Sequence, residues 1–211
     1  MALLAIATSA VILAATWGGH QYDWTSAQIL SLGALAIVST IAFVLTERRA
    51  GEPVIPMALF ADRNFVLTTI GSLVMGIAMF GSLSYLPTYM QMSVGVDATH
   101  AGLMMIPMMG GLLVTSIVVG QRVSKTGRYR WYPVAGAAVM GVGLWLLSLL
   151  DVGASRWQIE GSLLVLGIGI GLGMQVMTLI VQNSFSHKIV GTATAATNFF
   201  RQVGGTLGAA A

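Results

Sequence analysis

The sequence predicts an all-α fold, a polytopic transmembrane helix bundle. Two properties of the whole chain support this prediction: 56% of its 211 residues are hydrophobic, and only 8% are charged. A soluble domain carries about 25% charged residues, which cover its surface. The outer face of this chain must therefore contact something other than water, and the lipid bilayer is the natural candidate. A third observation is that the nearly charge-free runs have the lengths of membrane spans.

Six apolar runs, free of charge except for Glu160 at the start of the sixth, have or approach the roughly 20 residues that a helix needs to cross a bilayer. They occupy residues 2–16, 27–46, 65–90, 101–119, 133–150 and 159–183. The first run is short, so either residues upstream are missing or the helix begins at the interface. A signal peptide is a competing interpretation, although the run lacks a positive n-region. A further low-charge stretch, 191–211, stops in mid-run and predicts the start of a seventh helix.

Basic residues alternate from one connection to the next. The even connections hold Arg48, Arg49, Arg63, Arg122, Lys125, Arg128, Arg130, Lys188 and Arg201. The odd connections hold only Arg156. The positive-inside rule therefore places the N-terminus of this chain and the even connections in the cytoplasm. Aromatic residues typical of interfacial belts lie at the predicted edges: Trp17, Tyr22, Trp24, Trp131, Tyr132 and Trp157.

Charge and motif content argue against several classes of function. The net charge of +3 comes from basic residues scattered along an apolar chain, which indicates membrane topology and no nucleic-acid partner. The chain has no cysteine, hence no disulfide framework and no thiolate metal site. Neither an H-E-x-x-H metal motif nor a Walker A motif is present, and no cofactor is predicted. Because no acidic residue lies deep in a predicted span, an intramembrane enzyme is poorly supported.

Glycines and prolines inside the spans offer two interpretations. Gly167, Gly169, Gly171 and Gly173 form two overlapping G-x-x-x-G pairs in the sixth span. Such pairs let helix backbones approach closely, either for tight packing alone or in a helix that slides or rocks against its neighbours. Pro87 and Pro107, inside the third and fourth spans, predict bends that either line a transport pathway or are only structural.

Soft and neutral polar side chains recur in the third, fourth and sixth spans. Methionine is flexible and polarizable and suits promiscuous apolar binding, and Gln or Asn in lipid must face a partner or a wet cavity. We therefore expect a cavity for lipophilic or aromatic compounds, or else gap-filling methionines and amides that join helices. The candidate substrate-binding residues are Met75, Met79, Phe80, Tyr85, Tyr89, Gln91, Met105, Met109, Met174, Gln175, Gln182 and Asn183.

The charged connection at 120–130 is the most specific local feature. Its glycines predict a tight cytoplasmic turn, and its basic residues would hold that turn at the anionic inner leaflet and near helix C-termini. Simple anchoring of the topology is the alternative interpretation.

Residues 120–130 resemble the second-half copy of the major facilitator superfamily loop motif, G-x-x-x-D-[RK]-x-G-R-x-[RK]. Gly120, Lys125, Gly127, Arg128 and Arg130 match, and Ser124 stands where the motif has Asp. The stretch 191–208 is similar to the late-helix signature of the fourteen-span drug:proton antiporters of the EmrB/QacA type. Its candidate residues are Gly191, Asn198, Arg201, Gly204, Gly205 and Gly208. Residues 47–56, 59–60 and 85–91 are also similar to that family.

This resemblance implies part of a major facilitator fold, with residues 1–60 as a central extra helix pair and cytoplasmic linker. Residues 61–211 would form a truncated C-terminal transporter half. It implies proton-driven export of lipophilic compounds by alternating access at the cytoplasmic membrane. The N-terminal half, with the acids that carry the proton, would be a missing partner.

Arg201 is predicted at the start of the seventh helix, either as a polar contact or reaching to the inner interface. The alternative function is a non-transporting membrane scaffold or assembly partner.

Overall fold

The computed structural model describes residues 2–19, 21–49, 55–151 and 154–210. These ranges contain eight α-helices: α1 (Ala2–Trp17), α2 (Ala27–Glu47), α3 (Arg63–Tyr89), α4 (Ala98–Met104), α5 (Ile106–Thr126), α6 (Tyr132–Ser148), α7 (Arg156–Ser184) and α8 (Val190–Ala210). A short 3₁₀ helix, Met57–Ala61, precedes α3, and a π-helical turn, Met90–Val94, follows it. The all-α prediction is confirmed. Residues 50–54, within the similar stretch 47–56, and residue 211 lie outside the described residues.

Four helical segments are long and apolar enough to cross a membrane: Ala27–Glu47, Arg63–Ser93, Ala98–Thr126 and Arg156–Ser184. They coincide with the second, third, fourth and sixth predicted spans. Helices α1 and α6, at the first and fifth predicted spans, have 16 and 17 residues. At the usual rise they are about 25 Å long, against a hydrocarbon core of about 30 Å. Helix α8 has 21 residues but is not among the sufficiently apolar helices.

The chain divides into two compact units, Met1–Gly81 with Val181–Ala211, and Ser82–Ile180. In the first unit, α1 packs against α2 and α8. A buried cluster in this unit joins Phe43 of α2, Leu59 of the 3₁₀ helix, Phe65 of α3 and Ala193 of α8. In the second unit α7 is the central helix, since 50% of its most apolar stretch is buried, against 22–28% in the other three candidate spans.

Local chemistry fixes several helix ends. The Ser26 hydroxyl accepts a hydrogen bond from the Ile29 N–H at 3.3 Å and caps α2. The Asp97 carboxylate accepts one from the His100 N–H at 3.1 Å and caps α4. Pro87 lies inside α3, as predicted, two residues before that helix ends. Pro107 lies inside the fourth candidate span, as predicted, in the first turn of α5, where its missing N–H leaves no bond unmade.

Candidate functional site

One glycine pair of α7 faces α5. A Cβ at Gly167 would collide with the carbonyl oxygen of Met108, and a Cβ at Gly171 would lie 2.6 Å from that of Leu112. The residue numbers increase together along the two helices, so α5 and α7 run parallel. The two backbones are therefore in direct contact over one helical turn, with room for hydrogen atoms but not for a methyl group.

The other glycine pair of α7 faces α6. A Cβ at Gly169 would collide with the backbone of Met140, and a Cβ at Gly136 of α6 would lie 2.7 Å from the nitrogen of Gly173. Here the numbers run in opposite directions, so α6 and α7 are antiparallel. Residues two apart on a helix lie about 200° apart around its axis, since each residue turns it by about 100°. The two overlapping pairs thus serve two different neighbours.

In the first unit, α3 and α8 pack through glycines in the same way. Cβ atoms at Gly204 and Gly208 of α8 would collide with the carbonyl oxygens of Leu73 and Ile77. Helices α3 and α8 are therefore parallel. This is expected for the third and seventh predicted spans, which cross the membrane in the same direction. Together with the α5–α7 and α6–α7 pairs, this register fits the alternation of spans that the sequence predicts.

Arg201 occupies a different place from the one expected. It is the twelfth residue of α8, at the middle of a continuous 21-residue helix, and its side chain is half-buried. Arg201 was expected at the start of the seventh helix. Threonine, asparagine and glycine lower hydropathy without preventing intrahelical hydrogen bonds, so the helix starts at Val190. Arg201 therefore does not count among the basic residues of the sixth connection.

The loop motif at 120–130 also differs from the expectation. Gly120 through Thr126 belong to α5, and a Cβ at Gly120 would meet the amide of Gln175 at 3.4 Å, so Gly120 packs against α7 and makes no turn. Gly127 does make the turn: its φ of +65° ends α5, and its N–H donates to the Val123 carbonyl at 2.8 Å. Ser124, Lys125, Arg128 and Arg130 are exposed.

The candidate substrate-binding residues of the first unit differ in exposure. Met75 is buried on α3. Met79 and Phe80 are half-buried. A Cβ at Gly205 would lie 2.5 Å from the Phe80 ring. Gln182 and Asn183 are exposed near the end of α7. Met75 thus fills the packed interior, whereas the other four retain accessible surface.

In the second unit, Tyr85 is 49% exposed, Met109 is 38% exposed and Met105 is buried. The Tyr89 hydroxyl lies 3.4 Å from the carbonyl oxygens of Leu150 and Asp151, so it can donate to the connection after α6. The remaining members are Gln91, exposed with its amide donating to the Pro87 carbonyl at 3.1 Å, and Met174 and Gln175, both half-buried. Three cavities of the described chain have none of the twelve residues in their walls.

The most apolar cavity, of about 380 Å³, lies in the first unit and was missed by the sequence interpretation. Its walls come from α1, α2, the 55–60 segment and α8. The lining includes Thr8, Phe43, Phe60, Phe199 and Phe200. The aromatic pair at 199–200 in an otherwise polar helix was the available signal.

Four phenylalanine rings form an edge-to-face chain beside this cavity. Centroid distances are 6.2 Å from Phe200 to Phe60, 5.3 Å from Phe60 to Phe65, and 5.9 Å from Phe65 to Phe185. Edge-to-face contacts of this kind add to the stability that burial provides. This chain of rings ties α8 to the start of α3.

Acidic residues of the described ranges lie in connections or near helix ends. Glu160 pairs with Arg156 at 2.6 Å near the start of α7. Asp97 pairs with His100, and the hydrogen bond from the His100 side chain holds the pKa of the Asp97 carboxyl below its ordinary value. Within the described ranges, no group of three His, Asp or Glu side chains is placed to hold a metal ion.

The sequence of this chain is similar to those of known membrane transporters. The model of the Major Facilitator Superfamily matches residues 1–209. The chain is 40% identical to multidrug transporter protein MdtP of Bacillus subtilis, over 94% of this chain and 36% of that protein. It is 43% identical to an uncharacterised MFS-type transporter of Mycobacterium tuberculosis, over 99% of this chain and 30% of that protein. A tetracycline resistance determinant of Streptomyces rimosus is 32% identical over 91% of this chain and 56% of its own length.

Proposed function

The chain belongs to the Major Facilitator Superfamily, and we propose that it forms part of a proton-coupled exporter of lipophilic, drug-like compounds that works by alternating access. The observation that carries the proposal is the 40% identity to a multidrug transporter over nearly the whole chain. That relative is almost three times as long as the part this chain covers. Activity is therefore proposed for the full-length transporter, of the fourteen-span drug:proton antiporter type.

The packing of α7 supports this proposal physically. Alternating access requires helices that move past or with one another while their backbones stay hydrogen-bonded. Helices α5, α6 and α7 meet through glycines with their backbones in direct contact, so the three can move together as one rigid unit. Accessible methionine and aromatic side chains, such as Met109 and Tyr85, provide soft surface for lipophilic compounds.

Ethidium efflux tests the function. Cells that lack their own multidrug pumps and express the full-length transporter should lose preloaded ethidium faster than cells with an empty vector. Because proton entry drives the export, collapsing the proton gradient with an uncoupler should reduce the rate to that of the control. If neither ethidium nor any other lipophilic dye leaves the cells faster than in the control, the proposal is wrong and a scaffold role is favoured.

We also propose that the N-terminus of this chain faces the cytoplasm of the cell. The basic residues in and beside the described connections, at 48–49, 63, 122–130 and 188, lie on one predicted side, and only Arg156 lies on the other. Since the chain contains no cysteine, single cysteines report cleanly on sidedness. Tyr22→Cys should react with an impermeant maleimide from outside intact cells, and Lys125→Cys only after the membrane is opened. Reaction of both from the same side would contradict this topology.

A further inference from the structure

Arg201 is a cation in the middle of α8. It lies about 16 Å along the helix from Val190, at the usual rise per residue. An arginine side chain does not cover that distance, so Arg201 cannot place its charge in the water at the helix start. Charged residues at such a depth are costly in a membrane, and they usually face a partner or a wet pathway inside the bundle.

The partner of Arg201 is not found among the residues that the structure describes. The ion pairs there join Asp97 to His100 and Arg156 to Glu160. Both pairs lie near helix ends, and neither includes Arg201. The guanidinium carries five N–H donors and no acceptor, so it requires an acceptor from elsewhere.

The Thr69 hydroxyl on α3 also lacks a hydrogen-bond partner among the described residues. Its hydroxyl oxygen is buried and has no hydrogen-bond partner in the described chain. The adjacent Thr68 differs, since its hydroxyl donates to the Asn64 carbonyl at 2.7 Å. Thr197 of α8 is satisfied in the same way, since its hydroxyl donates to the Ala193 carbonyl at 3.0 Å. An unsatisfied buried hydroxyl is costly, which favours a partner at this position.

The register of α3 and α8 brings these two groups to one level. Phe65 packs in the cluster with Ala193, and Leu73, eight residues further along α3, meets Gly204, eleven residues further along α8. Thr69 lies one turn beyond Phe65, on the same face of α3, and is therefore level with the segment 197–201. Arg201 lies between Thr197 and Gly204 on the face of α8 that meets α3. A Cβ at Gly76 of α3 would collide with the backbone carbonyl of Arg201.

We propose that this level, defined as the polar layer of Thr69, Asn198 and Arg201, binds a carboxylate. A carboxylate accepts hydrogen bonds only and matches the planar guanidinium with two parallel bonds. It is carried either by a lipophilic anionic substrate or by an acidic side chain from a part of the full-length transporter beyond this chain. The first source rests on the proposed function, and the second does not.

Dye binding to the purified full-length transporter tests the first source. Fluorescence anisotropy gives the Kd of carboxyfluorescein, which carries carboxylates, and of Nile red, which is neutral and lipophilic. Arg201→Gln should raise the Kd of carboxyfluorescein about tenfold to a hundredfold, because charge-assisted hydrogen bonds are lost. The Kd of Nile red should not change. Arg201→Lys, which keeps the charge but not the planar pair of donors, should recover part of the binding.

Thermal stability tests the second source. If an acidic side chain of the transporter occupies the layer, carboxyfluorescein binding is unchanged, Arg201→Gln lowers the melting temperature, and Arg201→Lys partly restores it. The inference is overturned if Arg201→Gln changes neither quantity, or if Arg201→Lys behaves like Arg201→Gln in both. Ethidium efflux is measured separately, so a failure to export leaves these two measurements interpretable.

Two adjacent threonines provide a matched control for the layer. Thr69→Val removes the unsatisfied hydroxyl and should weaken carboxyfluorescein binding about twofold to tenfold, as for one neutral hydrogen bond. Thr68→Val removes a hydroxyl that is already bonded to its own helix and should leave the Kd unchanged. If the second source holds, the same contrast is expected in the melting temperature. Equal effects of the two substitutions would contradict the proposed layer.

Discussion

Helices α7 and α8 contain the same small-residue spacing and use it differently. Helix α7 has two glycine pairs, Gly167 with Gly171 and Gly169 with Gly173, which face opposite sides and contact two neighbours. In α8 the glycines that contact α3, Gly204, Gly205 and Gly208, lie in the second half of the helix. The residues before them include polar groups such as Arg201.

The comparison shows that the offset between glycine pairs matters more than their number. Because its two glycine pairs are offset by two residues, α7 packs closely against one neighbour on each of two sides. The helix is otherwise mostly apolar, which suits the centre of a lipid-embedded unit. A single glycine face leaves the rest of α8 free to carry Phe199 and Phe200 toward the cavity and Arg201 toward the polar layer. One helix is specialised for packing and the other for chemistry.

The largest effect is expected from α7. Gly167→Ala and Gly169→Ala should each lower the free energy of unfolding by about 1–3 kcal/mol, because each methyl group meets a backbone atom that cannot rotate away. The double variant should show the sum of both losses, since the two methyl groups press on different helices. Reversible unfolding of the full-length transporter in mixed micelles measures all three values. A double variant no worse than either single one would show that the two faces are not independent.

A smaller combined effect is expected from α8. Gly204→Ala and Gly208→Ala should each cost about 1–3 kcal/mol, for the same steric reason. Both press on α3, however, and once one methyl group has moved the helices apart the second meets less resistance. The loss in the double variant should therefore fall short of the sum. Full additivity in the same unfolding experiment would remove the contrast with α7.

Each helix offers its own control. A Cβ at Gly161 of α7 or at Gly191 of α8 would meet nothing within 4 Å. Alanine at either position should leave stability unchanged or raise it by at most about 1 kcal/mol, since alanine is the better helix former. Losses at these sites comparable to those at the contact glycines would argue against the steric explanation.

The positions of the helices could be predicted from apolar length alone. The second span, expected at 27–46, is Ala27–Glu47, because the sequence loses its apolar character where the helix ends. The fourth span was less well predicted, since α5 continues through Gln121 and Arg122 to Thr126. Hydropathy marks where a helix leaves the lipid, and polar helix formers extend it further.

The contacts of the site could not be predicted in the same way. The spacing of Gly167 and Gly169 indicates two faces, but only the fold shows that these meet Met108 and Met140. The apolar cavity draws its walls from segments near both ends of the chain, so no local pattern announces it. Arg201 was expected at the start of the seventh helix, whereas that helix begins at Val190, eleven residues earlier.

The close fit of α7 between α5 and α6 has a mechanical consequence. A shift of α7 by itself would drive Leu163 or Gln175 into a seam that only glycine fits, and it would do so on both sides at once. The lowest-energy displacement is one in which all three helices travel together as a single block. Motion within this unit is therefore expected at the ends of the block, in the connections that follow Tyr89 and Gly127, and not along its glycine seams.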